Sequence, residues 1–246
     1  PITAIKGSSY INIYPENRWL FMIKDAKRVR LFIGHYGSGK SEVSINYVTR
    51  LREVVDGEVA LADIDVVNVY FRTREKKDLM RQLGITPIDS SIQTTTLDVP
   101  AVSAEVMRPL HDDKVNYVLD VGGDNVGGRV FGRFAEHFKS DNYDMFFVIN
   151  ANREKTQTAN EVLGYIDAIE ASSKLKVTGL VNNTHLLRET TVEDVLKGQE
   201  VAREVSKIKN IPIKYVCCIE NLVDKLPKDL EGDILPIKMY LREEWM

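Results

Sequence analysis

The residues best suited to chemistry are Gly34-His35-Tyr36-Gly37-Ser38-Gly39-Lys40-Ser41. They fit the spacing G-x-x-x-x-G-K-[ST]. The apolar run Val29-Arg-Leu-Phe-Ile33 precedes them, and Val43, Tyr47, Val48 and Leu51 follow at helical spacing. Glycines allow a compact turn whose successive N–H groups point inward at phosphate oxygens. The start of the following helix adds the positive end of its dipole. Lys40 can reach the β- and γ-phosphates of a nucleotide, and the Ser41 hydroxyl can ligate Mg²⁺. The block Gly34–Glu42 is therefore the expected contact surface for a nucleoside triphosphate.

Such a loop needs a metal-holding carboxylate at the end of another apolar strand. Val115-Asn-Tyr-Val-Leu-Asp120 supplies it, and Val121-Gly122-Gly123 follows. Asp120 is expected to hold Mg²⁺ through a water. Asp120-x-x-Gly123 has the form of a switch in which the Gly123 N–H senses the γ-phosphate. Asp124-Asn-Val-Gly-Gly128 would then move with hydrolysis. A second run ends Ala60-Leu-Ala-Asp63-Ile-Asp65. In an open parallel sheet the carboxyl ends of strands line the ligand crevice. Asp65 could orient or deprotonate the attacking water, and Asp63 could support the Mg²⁺ shell. The competing explanations are a strand-end aspartate capping a turn and two solvated loop acids.

These groups need a scaffold to bring them together. Six apolar runs read as buried strands: 28–33, 58–62, 115–119, 145–149, 177–181 and 213–219. Helical patterns separate most of them. Thr158-Ala-Asn-Glu161 reads as a capping box before Val162, Ile166 and Ile169. Thr191-Val-Glu-Asp194 opens a helix carrying Val195, Ala202, Val205 and Ile208. The alternation predicts an α/β fold with helices on both faces of a mostly parallel sheet, and the phosphate loop within it makes that a three-layer P-loop NTPase fold. Leu83–Ala104 lacks periodicity and reads as a surface excursion, either a partner- or substrate-binding stretch or an idle loop.

The chain has 246 residues, 43% of them hydrophobic, enough for one sizeable core. Residues 22–246 read as a single nucleotide-binding domain. Residues 1–21 read as an N-terminal extension, either an edge strand or a segment foreign to a chain that starts at Met22. A net charge of −3 argues against a nucleic-acid-neutralising surface. Cys217 and Cys218, adjacent in a strand, should point to opposite faces as buried small residues. The absence of an 18-residue apolar run argues against a membrane helix. Reduced cysteines suit the cytoplasm.

The ordered set Gly34–Ser41, Asp63-Ile-Asp65, Asp120-Val-Gly-Gly123 and Gly179-Leu-Val-Asn-Asn183 resembles the deviant P-loop ATPases of the MinD and ParA type. That family includes division-site and plasmid-partition ATPases, the nitrogenase iron protein and iron–sulfur carrier ATPases. The resemblance covers roughly residues 28–225. It implies a seven- or eight-stranded sheet, ATP and Mg²⁺ as ligands, and a homodimer or protein partner controlled by ATP or ADP. It also implies Asp65 as the hydrolytic aspartate and Asn183 as the adenine reader, whose amide suits N6 and N7. Residues near Ile219-Glu220-Asn221 would close the base pocket.

Three features depart from that family. His35 stands where the family carries a loop lysine that reaches phosphate across a dimer; it either supplies that contact or packs the loop against a neighbour together with Tyr36. Arg129 and Arg153 are alternative cations. No cysteines flank Asp120–Gly128, which argues against an iron–sulfur cluster. The tail Met239–Met246 is no basic amphipathic membrane helix. Asn150-Ala-Asn-Arg153 and Asn182-Asn-Thr-His185 both miss the Asn-Lys-x-Asp pattern of guanine readers, so ATP is favoured over GTP. The leading expectation is a regulatory or assembly ATPase. The rivals are a small-molecule ligase or kinase resembling dethiobiotin synthetase or cobyrinic-acid amide synthase, and a nucleotide-binding module without turnover.

Overall fold

The computed structural model describes residues 23, 25–64, 76–88, 93–94, 100–101, 104–122, 132, 135–138 and 141–242. Asp65, Gly123, the 124–128 stretch, Arg129 and the 1–21 segment lie outside the described residues.

β1 (Val29–Ile33) is buried at every position. It reads as a continuous apolar run because a parallel strand covered on both faces has no polar side. Its one interruption, Arg30, is 1% exposed. The guanidinium donates to the carbonyls of Arg28, Ala26 and Ile23 and to Oδ1 of Asn116, at 2.8–3.4 Å. A buried cation is tolerated where carbonyl dipoles surround it.

The remaining strands of the main sheet are β2 (Glu58–Asp63), β3 (Thr86–Ile88), β6 (Val115–Asp120), β7 (Tyr143–Ile149), β8 (Gly179–Asn182), β9 (Ile213–Ile219) and β10 (Asp233–Ile237). β4 (Gln93–Thr94) and β5 (Pro100–Ala101) form a separate antiparallel pair. The eight-stranded sheet runs β10-β9-β8-β7-β1-β6-β2-β3, with parallel pairing throughout.

Helices cover both faces. α1 (Lys40–Val54) and α2 (Lys77–Gln82) bury Val43, Tyr47, Val48, Leu51 and Met80 on one side. α3 (Ala104–His111), α4 (Ala159–Ser173) and α5 (Val192–Lys209) bury Val106, Val162, Ile166, Val195 and Ala202 on the other. The three-layer expectation holds. Both capping boxes form: Thr158 with Glu161 opens α4, and Thr191 with Asp194 opens α5. Ile208 departs from the expected apolar face of α5 and is 56% exposed.

Along with the short pair β4 and β5, two strands of the main sheet escaped the sequence pattern, β3 and β10. Each is a sheet edge, and each contains a proline, Pro87 or Pro236. Proline is confined to such edges because it donates nothing to a ladder, so the residue that weakens the strand signal also marks its place. β3 lies inside the stretch expected to be a surface excursion. β2 and β6 each run one residue past their apolar runs, to Asp63 and Asp120.

α5 lies close enough to β8 that only hydrogen fits at one position. A Cβ on Gly198 would overlap Thr184 Oγ1 and Asn182 Oδ1. Thr184 Oγ1 accepts the Ala151 N–H at 3.0 Å, and Asn182 donates to Gln199 Oε1 at 3.1 Å, so neither moves freely. Gly198→Ala is expected to destabilise the protein by about 1–3 kcal/mol through overpacking. A lower urea midpoint at unchanged m would show it; an unshifted midpoint would mean that α5 slides away without penalty.

Candidate functional site

β1 delivers the chain to a loop at the centre of the sheet's carboxyl edge. Gly37 and Gly39 take φ of 79° and 80°, in the left-handed region. At Gly39, the N-cap of α1, space also demands glycine. An added Cβ would stand 2.5 Å from Asn183 Nδ2 and 2.9 Å from His185 Nε2.

The loop's carbonyls are tethered from outside. Ser38 O accepts the Asn183 amide at 2.8 Å. Gly37 O accepts Arg153 Nε at 3.2 Å and Asn150 Nδ2 at 3.5 Å. His35 O accepts the Ser38 N–H at 3.0 Å. With the Gly37 and Ser38 carbonyls held by Arg153, Asn150 and Asn183, two of the loop's carbonyls are occupied and its glycines keep the turn in which backbone N–H groups can collect an anion. Asn150 was not singled out from sequence except within a failed guanine pattern. Its one signal was its place at the end of an apolar strand.

Lys40 and Ser41, at the start of α1, are 4% and 7% exposed. His35 faces elsewhere: its ring meets Tyr165 edge-on at 4.7 Å. Burial lowers its pKa from the usual histidine value. Glu42 is committed to the chain's far end, accepting the Tyr240 and Leu241 N–H groups. Burial raises its pKa despite those bonds. Asn46 pairs similarly with the Lys238 backbone at 2.7 and 2.8 Å. Glu42 therefore ties α1 to the 238–242 segment.

Asp63 and Asp120 are direct register partners on β2 and β6, and Asp120 is also in register with Phe32 of β1. Both are buried, at 4% and 0% exposure. The Ile64 N–H donates to Asp120 O, and the Val121 N–H to Phe32 O, each at 2.9 Å, so the three strand ends are laced together. Adjacent buried carboxylates are costly unless a cation balances them. The Asp63 and Asp120 carboxylates and the Ser41 hydroxyl are oxygen donors, the type that suits Mg²⁺. Among the described residues no group of three or more His, Cys, Asp or Glu could hold a metal.

From this loop a cavity of about 300 Å³ opens toward β9 and β10. The loop side is Tyr36, Gly37, Gly39, Lys40, Ser41 and Glu42, and the far wall is largely apolar, with Leu187, Ile219, Ile237 and Leu241. Asn183, His185, Arg153 and Arg242 add polar groups. An apolar pocket with a few convergent polar groups is the usual form of a small-molecule site.

His185 is held neutral. Burial, reinforced by the charges of Arg153 and Arg242, lowers its pKa to about 4. Its Nδ1 accepts the Leu187 N–H at 3.2 Å, which places the ring proton on Nε2. Asn183 is 6% exposed, and its N–H donates to Ile149 O at 2.8 Å.

Gly34, His35, Ser38, Asp63, Asp120 and Glu220 do not line this cavity. Glu220 begins the 3₁₀ turn Glu220–Lys225, and its half-exposed carboxylate lies 3.6 Å from Lys238 Nζ. The neighbouring Ile219 forms the wall instead. Cys217 and Cys218 are free and buried. They enter opposite core layers, as alternation requires. Both also touch the cavity. Burial raises the Cys218 pKa to about 12 and that of Cys217 well above normal, so neither is a ready nucleophile.

No family model and no curated protein matches the chain. Solved structures do. FtsY from Mycoplasma mycoides is similar at 15% identity and a TM-score of 0.52, over 80% of this chain and 63% of that one. Chloroplast FtsY from Physcomitrella patens is similar at 17% identity and a TM-score of 0.52, over 76% of this chain and 56% of that one. The cell division protein FtsY from Thermotoga maritima follows at 16% identity and a TM-score of 0.49, over 76% and 60%. The chain thus spans 56–63% of the length of these proteins. At such identities the likeness is one of fold, the three-layer α/β P-loop NTPase architecture.

Proposed function

We propose that this chain binds Mg-ATP with its phosphates on the Gly34–Ser41 loop and hydrolyses it, as a regulatory or assembly ATPase that controls a partner through its nucleotide state. The observation that carries this reading is the convergence at one sheet edge of a tethered glycine loop, buried Lys40 and Ser41, and the buried pair Asp63 and Asp120.

In this reading the loop N–H groups and Lys40 hold the β- and γ-phosphates. Ser41, Asp63 and, through a water, Asp120 would hold Mg²⁺, which would supply positive charge at the phosphates. Asp65 positions the water and receives its proton. The Gly123 N–H reports the γ-phosphate to the segment that follows. The motif order supports the MinD and ParA likeness, with nucleotide-dependent dimerisation or switch movement as the output and the cytoplasm as its place. Among the described residues no helix is long and apolar enough to cross a membrane.

Adenine would lie against the apolar wall. Because Asn183 Nδ2 is spent on Ser38 O, its Oδ1 is the atom left to accept from adenine N6. Guanine would present two donors, N1–H and N2–H, to a cavity whose lining acid, Glu42, is already engaged by backbone N–H groups. Asn183→Ala is expected to weaken ATP binding about tenfold, the scale of one hydrogen bond. GTP and CTP should lose less. Equal losses for the three in competition titrations would show that the side chain does not read the base. A phosphoryl-acceptor screen with product analysis separates hydrolysis from the ligase or kinase alternative, since only the latter makes a phosphorylated or condensed product.

A further inference from the structure

We propose that Arg153 supplies, from the same chain, the second positive charge at the terminal phosphate of the bound nucleotide. The inference rests on the nucleotide reading above and assigns a role that Lys40 alone leaves unfilled.

Arg153 sits in the turn after β7, the strand beside β1. Asn150 O accepts the Arg153 N–H at 3.0 Å and the Thr156 hydroxyl at 2.8 Å, while Arg153 O accepts the Thr156 N–H at 3.2 Å. Thr156 is fully buried, so it anchors the turn. The turn lays the Arg153 side chain across the phosphate loop, where Nε donates to Gly37 O at 3.2 Å. That bond uses one of the five guanidinium N–H groups and orients the planar fork. Among the described residues the Arg153 side chain makes no other hydrogen bond or ion pair, and it lines the same cavity as Lys40 and Ser41. A fork aimed by its Nε and left open at its Nη atoms matches the bidentate geometry of phosphate oxygens.

Among the described residues the competing cations are worse placed. The His35 ring packs against Tyr165, and burial disfavours its charged form. Arg242 also lines the cavity but follows Leu241 on the segment tied to Glu42, whereas Arg153 is bonded to the loop itself.

In hydrolysis the bond from the water oxygen to Pγ forms as the bond from Pγ to the β–γ bridging oxygen breaks. The water proton passes to Asp65, and ADP and inorganic phosphate leave. Charge spreads over the γ-oxygens and the bridging oxygen on the way, and the Nη donors stabilise it there. Arg153 stays protonated throughout. A group in the same chain needs no second copy, so turnover per molecule should not change on dilution.

The test compares wild type, Arg153→Ala and Arg153→Lys in single-turnover hydrolysis of Mg-ATP, with separate affinities for ADP and a non-hydrolysable ATP analogue. Arg153→Ala should lose about 10³-fold in rate, the low end for a missing arginine finger. Affinities should change less than about tenfold, and Arg153→Lys should fall between. Millimolar guanidinium ion should restore rate to Arg153→Ala. If Arg153 only braces Gly37, ADP affinity and rate fall together and guanidinium restores nothing, which overturns the proposal. Turnover regained on mixing Arg153→Ala with Lys40→Ala would also overturn it, by placing the charge in a second copy. A wild type that hydrolyses Mg-ATP no faster than Arg153→Ala removes this inference alone. A wild type that binds no Mg-ATP removes the nucleotide reading and this inference with it.

Discussion

Lys40→Ala is expected to abolish turnover and to weaken Mg-ATP binding by about 10- to 100-fold. The affinity figure is that of one hydrogen bond to a charged group, roughly 1.5–3 kcal/mol. The rate loss should be at least about 10²–10³-fold, because a preorganised donor aimed at developing charge is worth that much in a closed site. Lys40 is 4% exposed at the first turn of α1, directly after the Gly34–Gly39 loop. The same burial warns that truncation disturbs packing, since a lysine stem covers apolar surface. Lys40→Met keeps the stem and removes only the charge. Calorimetric titration of both variants, with melting temperature measured in parallel, separates lost charge from lost fold. A folded Lys40→Met variant with wild-type affinity and activity would end the phosphate-loop assignment.

The loop was legible because its chemistry is local. Eight consecutive residues carry the glycines, the lysine and the serine, and an apolar run before them names the strand. The same holds for Thr158 with Glu161 and for Thr191 with Asp194, where each box closes within three residues. Cys217 and Cys218 obeyed a two-residue period. What stayed hidden were the braces from afar. Asn183 is 145 residues from the Ser38 carbonyl it holds, and Arg153 is 116 from that of Gly37. Glu42 meets Tyr240 across 198 residues. No periodicity encodes such pairs; the Arg153 and Asn183 contacts arise because the sheet order places β7 beside β1 and β8 next to β7. His185 is the sharpest case. In the sequence it was the last letter of a failed guanine pattern, and in the fold it is a neutral donor on the cavity wall.

Asp65→Ala should separate chemistry from binding. β2 ends at Asp63, and the Ile64 N–H donates to Asp120 O, so the chain leaves β2 pinned beside the buried carboxylate pair. Ile64 is buried at 3% exposure, which leaves little slack in that exit. Asp65 itself lies outside the described residues, and its role as the water-positioning group rests on the motif Asp63-Ile-Asp65 at this edge. Positioned general-base action contributes about 10²–10⁴-fold, so the variant should lose that much in single-turnover rate. It should keep its affinity for Mg-ATP, because Asp65 would touch the water and not the nucleotide. The signature is thus a fall in kcat at constant binding, opposite to that of Lys40→Ala, where binding falls as well. Wild-type hydrolysis in Asp65→Ala would show that another group positions the water. The variant is also the reagent for the assembly question, since it should hold ATP without consuming it. Light scattering of Asp65→Ala should then show a larger species with ATP than with ADP if the output is dimerisation. A strict monomer with both nucleotides would reject dimerisation and leave switch movement toward a different partner. That monomer, combined with a phosphorylated or condensed product in the acceptor screen, would favour the small-molecule ligase or kinase.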